Sequence, residues 1–245
     1  PGKGLSSRAK QLFKSLGMQD ADVQRLQLEL MREKEQQDLL ADYIRKTERV
    51  KFIPDWNTVN LPAGSVPLLT ADNPFAEEGR KYLEERGISE EVAGLYRLGV
   101  VTEPAAGHEH YAGWLSIPYI TANELCVGFK FRRLDGGTPK YGAPLGNKAH
   151  LYNVTDITKQ SSRIVVCEGE LDTVVVSGIL GLPAVGVPGV ASWKPHFAKL
   201  LNGYDTVYVV GDNDVKEDGT NPGADFSRRV ASEVMNATIV ELPAG

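Results

Sequence analysis

The chain has 245 residues, a formal net charge of −5 and 42% hydrophobic residues. That length suffices for one large or two modest domains with a core able to fold independently. The absence of any apolar run of about eighteen residues argues against a helical membrane span, and no charged-then-apolar signal pattern opens the sequence. Cys126 and Cys167 each lie in an apolar stretch, as buried free thiols of a reducing compartment do, and two isolated cysteines cannot supply the paired ligands of a structural zinc site.

In chain order, residues 5 to about 50 read as helix. Asp20 or Asp22 can cap a long segment carrying Val23, Leu26, Leu30, Leu39, Leu40, Tyr43 and Ile44 among Glu, Gln, Arg and Lys. One apolar stripe must be buried, by default on the chain itself, with an upstream module or a second copy as alternatives. The stretch from Pro54 to Pro74 reads as loop and linker, and Asn73-Pro74 caps and starts the next helix. Short helices then precede β-rich runs over 114–119 and 125–134, with Asp135-Gly136-Gly137 marking a hairpin turn. His108 and His110 flank Glu109, but with no third ligand nearby in sequence they read as an exposed loop.

After Arg163, strand-like runs over 164–167, 184–187, 206–210 and 238–242 alternate with helical runs over 171–180, 193–201 and 224–234. Such alternation predicts a mainly parallel, Rossmann-like sheet with helices on both faces. The expected fold class is therefore α/β in three parts: a helical lead or linker over 1–50, a basic mixed α+β subdomain over 51–158, and an α/β subdomain over 159–245.

Two acidic motifs stand at strand ends of that sheet. Glu168-Gly169-Glu170-Leu171-Asp172 follows the first run, and Asp212-Asn213-Asp214 follows Val207-Tyr208-Val209-Val210-Gly211. Open α/β sheets gather functional residues at the carboxyl edge of their strands, and carboxylates gathered there can hold a hard divalent cation through oxygen. A lone Asp after a strand is ordinarily a helix cap or part of a solvated turn. Two acidic motifs on strands of one sheet, the second with acids at i and i+2, point instead to metal-assisted phosphoryl transfer.

From Arg163 onward these residues resemble a TOPRIM domain, the metal-binding module of bacterial-type primases, type IA and II topoisomerases and some nucleases. Glu168, Asp172, Asp212 and Asp214 fill its Glu, its Asp four residues on, and its Asp-x-Asp. Upstream, Gly128-Phe129-Lys130-Phe131-Arg132-Arg133, Pro139-Lys140-Tyr141 and Asn147-Lys148-Ala149-His150-Leu151-Tyr152 run in the order of the catalytic core of DnaG-type and bacteriophage DNA primases. Tyr82-Leu83-Glu84-Glu85-Arg86-Gly87-Ile88-Ser89 resembles the short helix-turn-helix that opens that core. Topoisomerases and small TOPRIM nucleases lack these upstream blocks.

The resemblance implies template-directed synthesis of short RNA primers on single-stranded DNA, from ribonucleoside triphosphates, by metal-dependent nucleotidyl transfer. Asp212 and Asp214, helped by Glu168, would hold Mg²⁺ or Mn²⁺, with Asp172 ordering the site and Glu168 a candidate base for the attacking 3′-hydroxyl. Arg132, Lys140 and Lys148 would meet the triphosphate or template backbone, accompanied by Arg133 and Lys130. A replicative helicase in cis or trans is the implied partner, a zinc-binding module lies outside this sequence, and the location is the cytoplasm of a bacterium or of a phage-infected host.

Charge is compatible with that reading. Net charge acts at long range, but phosphate contacts depend on local clusters. Lys130, Arg132, Arg133, Lys140 and Lys148 fall within nineteen residues that contain one acid, Asp135. Strand alternation puts Lys130 and Arg132 on one face and Arg133 on the other. Two departures from the family pattern stand out. A further acidic pair would begin where the chain ends at Glu241-Leu242-Pro243-Ala244-Gly245, so a piece of a longer protein with weakened second-metal binding is expected. Residues 215–222 form an insertion-like segment, read as a longer surface loop or a cover for the nucleotide site. The alternatives are a metal-dependent TOPRIM nuclease and a non-catalytic piece that binds DNA or recruits helicase.

Overall fold

The structure is a computed structural model that describes residues 5–47, 65–67, 73–124, 126–144 and 149–243, the side chains of 42–47 and 65–67 excepted. The leading helical region is two helices, α1 (Ser7–Ser15) and α2 (Asp20–Thr47). The break falls at Gly17, whose φ of +84° is open to glycine without strain. α2 packs on its own chain: Leu40 enters the core of the C-terminal half, Gln36 is buried, and Arg32 pairs with Asp205 at 2.6 Å. Leu30 of the predicted stripe is exposed instead, and the side chains of Tyr43 and Ile44 lie outside the described residues.

Five strands, β1 (Ser65–Pro67), β2 (Gly99–Val101), β3 (Leu115–Ile120), β4 (Cys126–Arg132) and β5 (Tyr141–Gly142), form an antiparallel sheet in chain order. Between β1 and β2 come α3 (Pro74–Glu84) and α4 (Glu90–Leu95). Asn73 caps α3 by accepting the Ala76 N–H at 3.0 Å, with Pro74 at the first helical position, as the sequence predicts. Leu83, Ile88 and Ala93 cover one sheet face over Leu115, Ile117 and Tyr119. Phe129 and Phe131 fill the other face with Tyr111 and Trp114. Lys130 pairs in register with Ile117, and Arg132 with Leu115, so both cations lie on the α3 face of β4.

The second sheet is wholly parallel. Its strands β6 (Arg163–Cys167), β7 (Ala184–Gly186), β8 (Thr206–Val210) and β9 (Ala237–Val240) lie in the order β7-β6-β8-β9. The crossovers carry α5 (Glu170–Val174), α6 (Pro195–Leu201) and α7 (Pro222–Glu233). α5 runs into a π-helical turn over Val175–Ile179, so the predicted helix over 171–180 is not uniform. Val166, Val185, Val207 and Val209 are buried on one face and Val165, Cys167 and Ala184 on the other, as in a sheet covered on both faces. The chain leaves β6 toward β7 and later returns to β8 on the other side, which makes the β6/β8 crevice the topological switch point. Between the sheets, Tyr152 exchanges backbone hydrogen bonds of 2.8 and 3.1 Å with Gly186 of β7, and its ring packs edge-on against Tyr119 of β3. Among the described residues no helix is long and apolar enough to cross a membrane.

Candidate active site

Glu168 and Asp212 leave the carboxyl ends of β6 and β8, adjacent strands paired Cys167 to Val210. Glu168 Oε2 accepts the Asp212 backbone N–H at 2.8 Å. The start of α7 presses against both loops because Gly223 has no side chain. A Cβ there would stand 2.0 Å from the Asp212 carbonyl oxygen and 2.7 Å from Glu168 Oε2. Asp172, in the first turn of α5, folds back over Gly169, where a Cβ would meet its Oδ2 at 2.7 Å. Asp214 lies two residues beyond Asp212 and is exposed.

Burial pushes the Glu168 carboxyl up, and the charges of Asp212, Asp172 and Asp214 add to the rise against the opposing Asp212 N–H. Asp212 is pushed up by burial and by Asp214. Asp172 is pushed up by burial, then by Asp212 and Glu170, with Lys130 opposing. Asp172 and Asp212 nevertheless touch solvent. The two observations agree if the carboxylates line a cleft, wet at its mouth and walled by protein. Among the described residues no ion pair neutralises Glu168, Asp172, Asp212 or Asp214, and no three His, Cys, Asp or Glu side chains converge enough to enclose an ion. This donor set fits Mg²⁺, which takes one or two carboxylates and fills its remaining positions with water and substrate phosphate.

Facing the acids across a cleft of 310 Å³ is a basic, aromatic wall: Asp172 and Asp212 bound the cleft on one side, and Tyr82, Arg86, Arg132 and Tyr141 on the other.

Arg132 is held rigidly in that wall. Its Nη1 donates to the Tyr141 hydroxyl at 2.5 Å, and its guanidinium lies 5.0 Å from the Tyr82 ring and 4.8 Å from the Tyr141 ring. Its Nε is buried and has no protein partner. Arg86 stacks 3.7 Å over Tyr82 and donates to the Tyr82 carbonyl at 3.1 Å. Arg86 is a cleft residue that the sequence reading quoted within a motif but assigned no role. Its basic charge was the available signal, yet it stands far from the 130–148 cluster in the chain.

The other predicted cations are placed differently. Lys130 does not face the cleft as an open phosphate contact. Its ammonium donates to Glu170 Oε1 at 2.9 Å, to Glu170 Oε2 at 2.8 Å and to the Pro188 carbonyl at 3.2 Å, which takes all three of its hydrogens. Arg133 lies on the opposite face of β4, as alternation predicts, where it grips Asp135 through bonds of 2.7 and 2.6 Å and sits 5.3 Å from the Trp114 ring. That grip holds the Asp135 carboxyl well below the usual range. Lys140 is exposed, and Lys148 lies outside the described residues. Residues 215–220 form an exposed turn closed by the Lys216 N–H on the Thr220 carbonyl at 2.8 Å, and Asn221 caps α7.

No protein-family model matches the chain. The Gene 57 protein of Mycobacterium phage D29 is 39% identical over 139 residues, which cover 55% of this chain and 87% of that protein. A DNA primase of Neisseria meningitidis is 25% identical over 174 residues, 57% of this chain but only 30% of the primase. Among solved structures, the E. coli primase catalytic core superposes with a TM-score of 0.56 at 21% identity, covering 73% of this chain and 69% of that one. A DnaG primase catalytic domain bound to ssDNA gives 0.54 at 19%, covering 86% and 73%. The primase fragment of the bacteriophage T7 primase-helicase protein gives 0.52 at 19%, covering 65% and 63%. The chain belongs to the family of the phage D29 Gene 57 protein, and its fold is that of the catalytic core of DnaG-type and bacteriophage DNA primases.

Proposed function

We propose that this chain synthesises short RNA primers on single-stranded DNA by metal-dependent nucleotidyl transfer, with a TOPRIM module over 159–245 and a basic subdomain over 51–158. The observation that carries the reading is the cleft that sets Arg132 and Arg86 opposite Asp172 and Asp212 at the switch point of the parallel sheet. Phosphoryl transfer needs both: cations for the triphosphate and carboxylates for a metal.

Asp212 and Asp214, with Glu168, are the residues that would hold Mg²⁺ or Mn²⁺, and Asp172 orders them. A metal bound there supplies charge neutralisation at the attacking and leaving oxygens. Arg132 binds the triphosphate: it is prepositioned between two rings, and its buried Nε has a hydrogen-bond donor to spare. Arg86 supports it, and Lys140 and Lys148 meet template backbone. Glu168 is suited to accept the proton of the 3′-hydroxyl, since burial and its acidic neighbours raise its proton affinity. The partners are single-stranded DNA and ribonucleoside triphosphates, with a zinc-binding module and a replicative helicase outside this sequence and the cytoplasm as the location.

The test is incubation with a single-stranded DNA template, labelled ribonucleotides and Mg²⁺ or Mn²⁺, beside Asp212→Asn and a dinucleotide-primed reaction. Template-dependent oligoribonucleotides that vanish in the variant are expected. Shortening of the template without synthesis would replace polymerisation by nuclease chemistry.

A further inference from the structure

We propose that Glu170 and Lys130 form a clamp between the two sheets that sets the separation of Arg132 from the carboxylates. The proposal rests on the primase reading above. Glu170 is 2% exposed and Lys130 14%. Glu170 Oε1 also accepts the Tyr119 hydroxyl, so Lys130 donates all three of its hydrogens and both Glu170 oxygens accept. The cluster joins four places: β3 through Tyr119, β4 through Lys130, the first turn of α5 through Glu170, and the loop after β7 through the Pro188 carbonyl.

Position within the chain makes this a spacing device. Glu170 lies two residues from both Glu168 and Asp172, and Lys130 lies two residues from Arg132 on the same face of β4. Any change in the Lys130–Glu170 geometry therefore moves the two walls of the cleft relative to one another. A buried ion pair is a poor source of stability, because its desolvation offsets its attraction and an apolar replacement of like volume is often no less stable. What the pair contributes is one defined geometry, and a misplacement of about 1 Å in such a site costs on the order of a hundredfold in rate. Glu170 borders the cleft, but its carboxylate is 2% exposed and taken up by Lys130 and Tyr119, so Glu170 and Lys130 act as positioning residues.

The test compares the parent with Glu170→Gln, with Lys130→Met, and with a triple variant, Tyr119→Phe/Lys130→Met/Glu170→Met, that removes the polar partners together. Three quantities are read: thermal midpoint, the kcat and KM for nucleotide incorporation, and amide hydrogen exchange over residues 169–174. The clamp predicts that both single variants lose kcat by about tenfold or more with KM within about threefold. It predicts that the triple variant regains the parent's thermal midpoint while kcat stays low and exchange over 169–174 is at least about tenfold faster. Recovery of kcat and of exchange protection along with stability in the triple variant would overturn it. Should the parent make no primers, the primase reading fails and exchange alone judges the clamp: parent-like protection over 169–174 in the triple variant rejects it, and faster exchange at native stability supports it.

Discussion

Glu168 Oε2 accepts the backbone N–H of Asp212 at 2.8 Å, which ties the ends of two adjacent parallel strands together at the point where strand order reverses. One carboxylate oxygen is thereby spent on the fold, and the other is left for chemistry. The same bond places the Asp212 side chain at the mouth of the cleft opposite Arg132.

Asp212→Asn is expected to reduce nucleotide incorporation by at least about a hundredfold, the several kcal/mol that a metal-held charge contributes to a phosphoryl transition state. Binding of single-stranded DNA should change by less than about threefold, since its contacts lie on the basic wall. Filter binding beside primer synthesis separates the two, and unchanged synthesis would remove Asp212 from the metal set.

Stability should depend on pH in a way that metal reverses. Glu168, Asp172 and Asp212 have folded pKa values raised above their unfolded ones. The folded state therefore binds more protons across that window, and their contribution to stability is present below the unfolded values and lost as pH rises through the raised ones. In metal-free buffer, the difference in thermal midpoint between the parent and a Glu168→Gln/Asp172→Asn/Asp212→Asn variant should widen in the variant's favour from acid to neutral pH. Added Mg²⁺ should raise the parent's midpoint more at neutral pH than in acid and leave the variant unmoved.

Gly223→Ala should destabilise the fold by about 1–3 kcal/mol, the cost of overpacking a filled site. The new Cβ would meet the Asp212 carbonyl oxygen at 2.0 Å, a backbone atom that cannot turn aside. Denaturant unfolding measures the loss, and primer synthesis should fall with it because the Asp212 loop must shift.

Arg132→Lys keeps the charge but loses the fork that spans Tyr82 and Tyr141. The KM for ribonucleoside triphosphate should rise about tenfold or more, the value of a charge-assisted hydrogen bond of about 1.5–3 kcal/mol. Arg133→Lys, on the other face of β4 and paired with Asp135, should leave that KM within about twofold. Steady-state kinetics with varied nucleotide distinguish the two sites.

Burial pushes the thiols of Cys126 and Cys167 up to about 12 each. Neither should react with a thiol reagent at neutral pH in the native protein, and both should react once urea unfolds it. Fast native labelling of either would contradict the packing of β4 or β6.

The sequence by itself determined the elements and the acidic motifs. Apolar runs of strand length and Asn73-Pro74 at a helix start are local signals, and each acts through its own few residues, whereas Asn221-Pro222, read as loop, proves to cap and start α7. Glu168 and Asp212 could be placed at one sheet edge because acids directly after parallel strands have nowhere else to go. Only the tertiary structure decided how the charges divide. Lys130 and Arg132 share a strand face, yet one is consumed by Glu170, forty residues away, and the other points at the cleft. Arg86 joins the site from the turn after α3, and Arg133 is turned to Asp135 on the far face. A charged side chain takes its role from the partner that packing brings within about 4 Å, and alternation along a strand does not identify that partner.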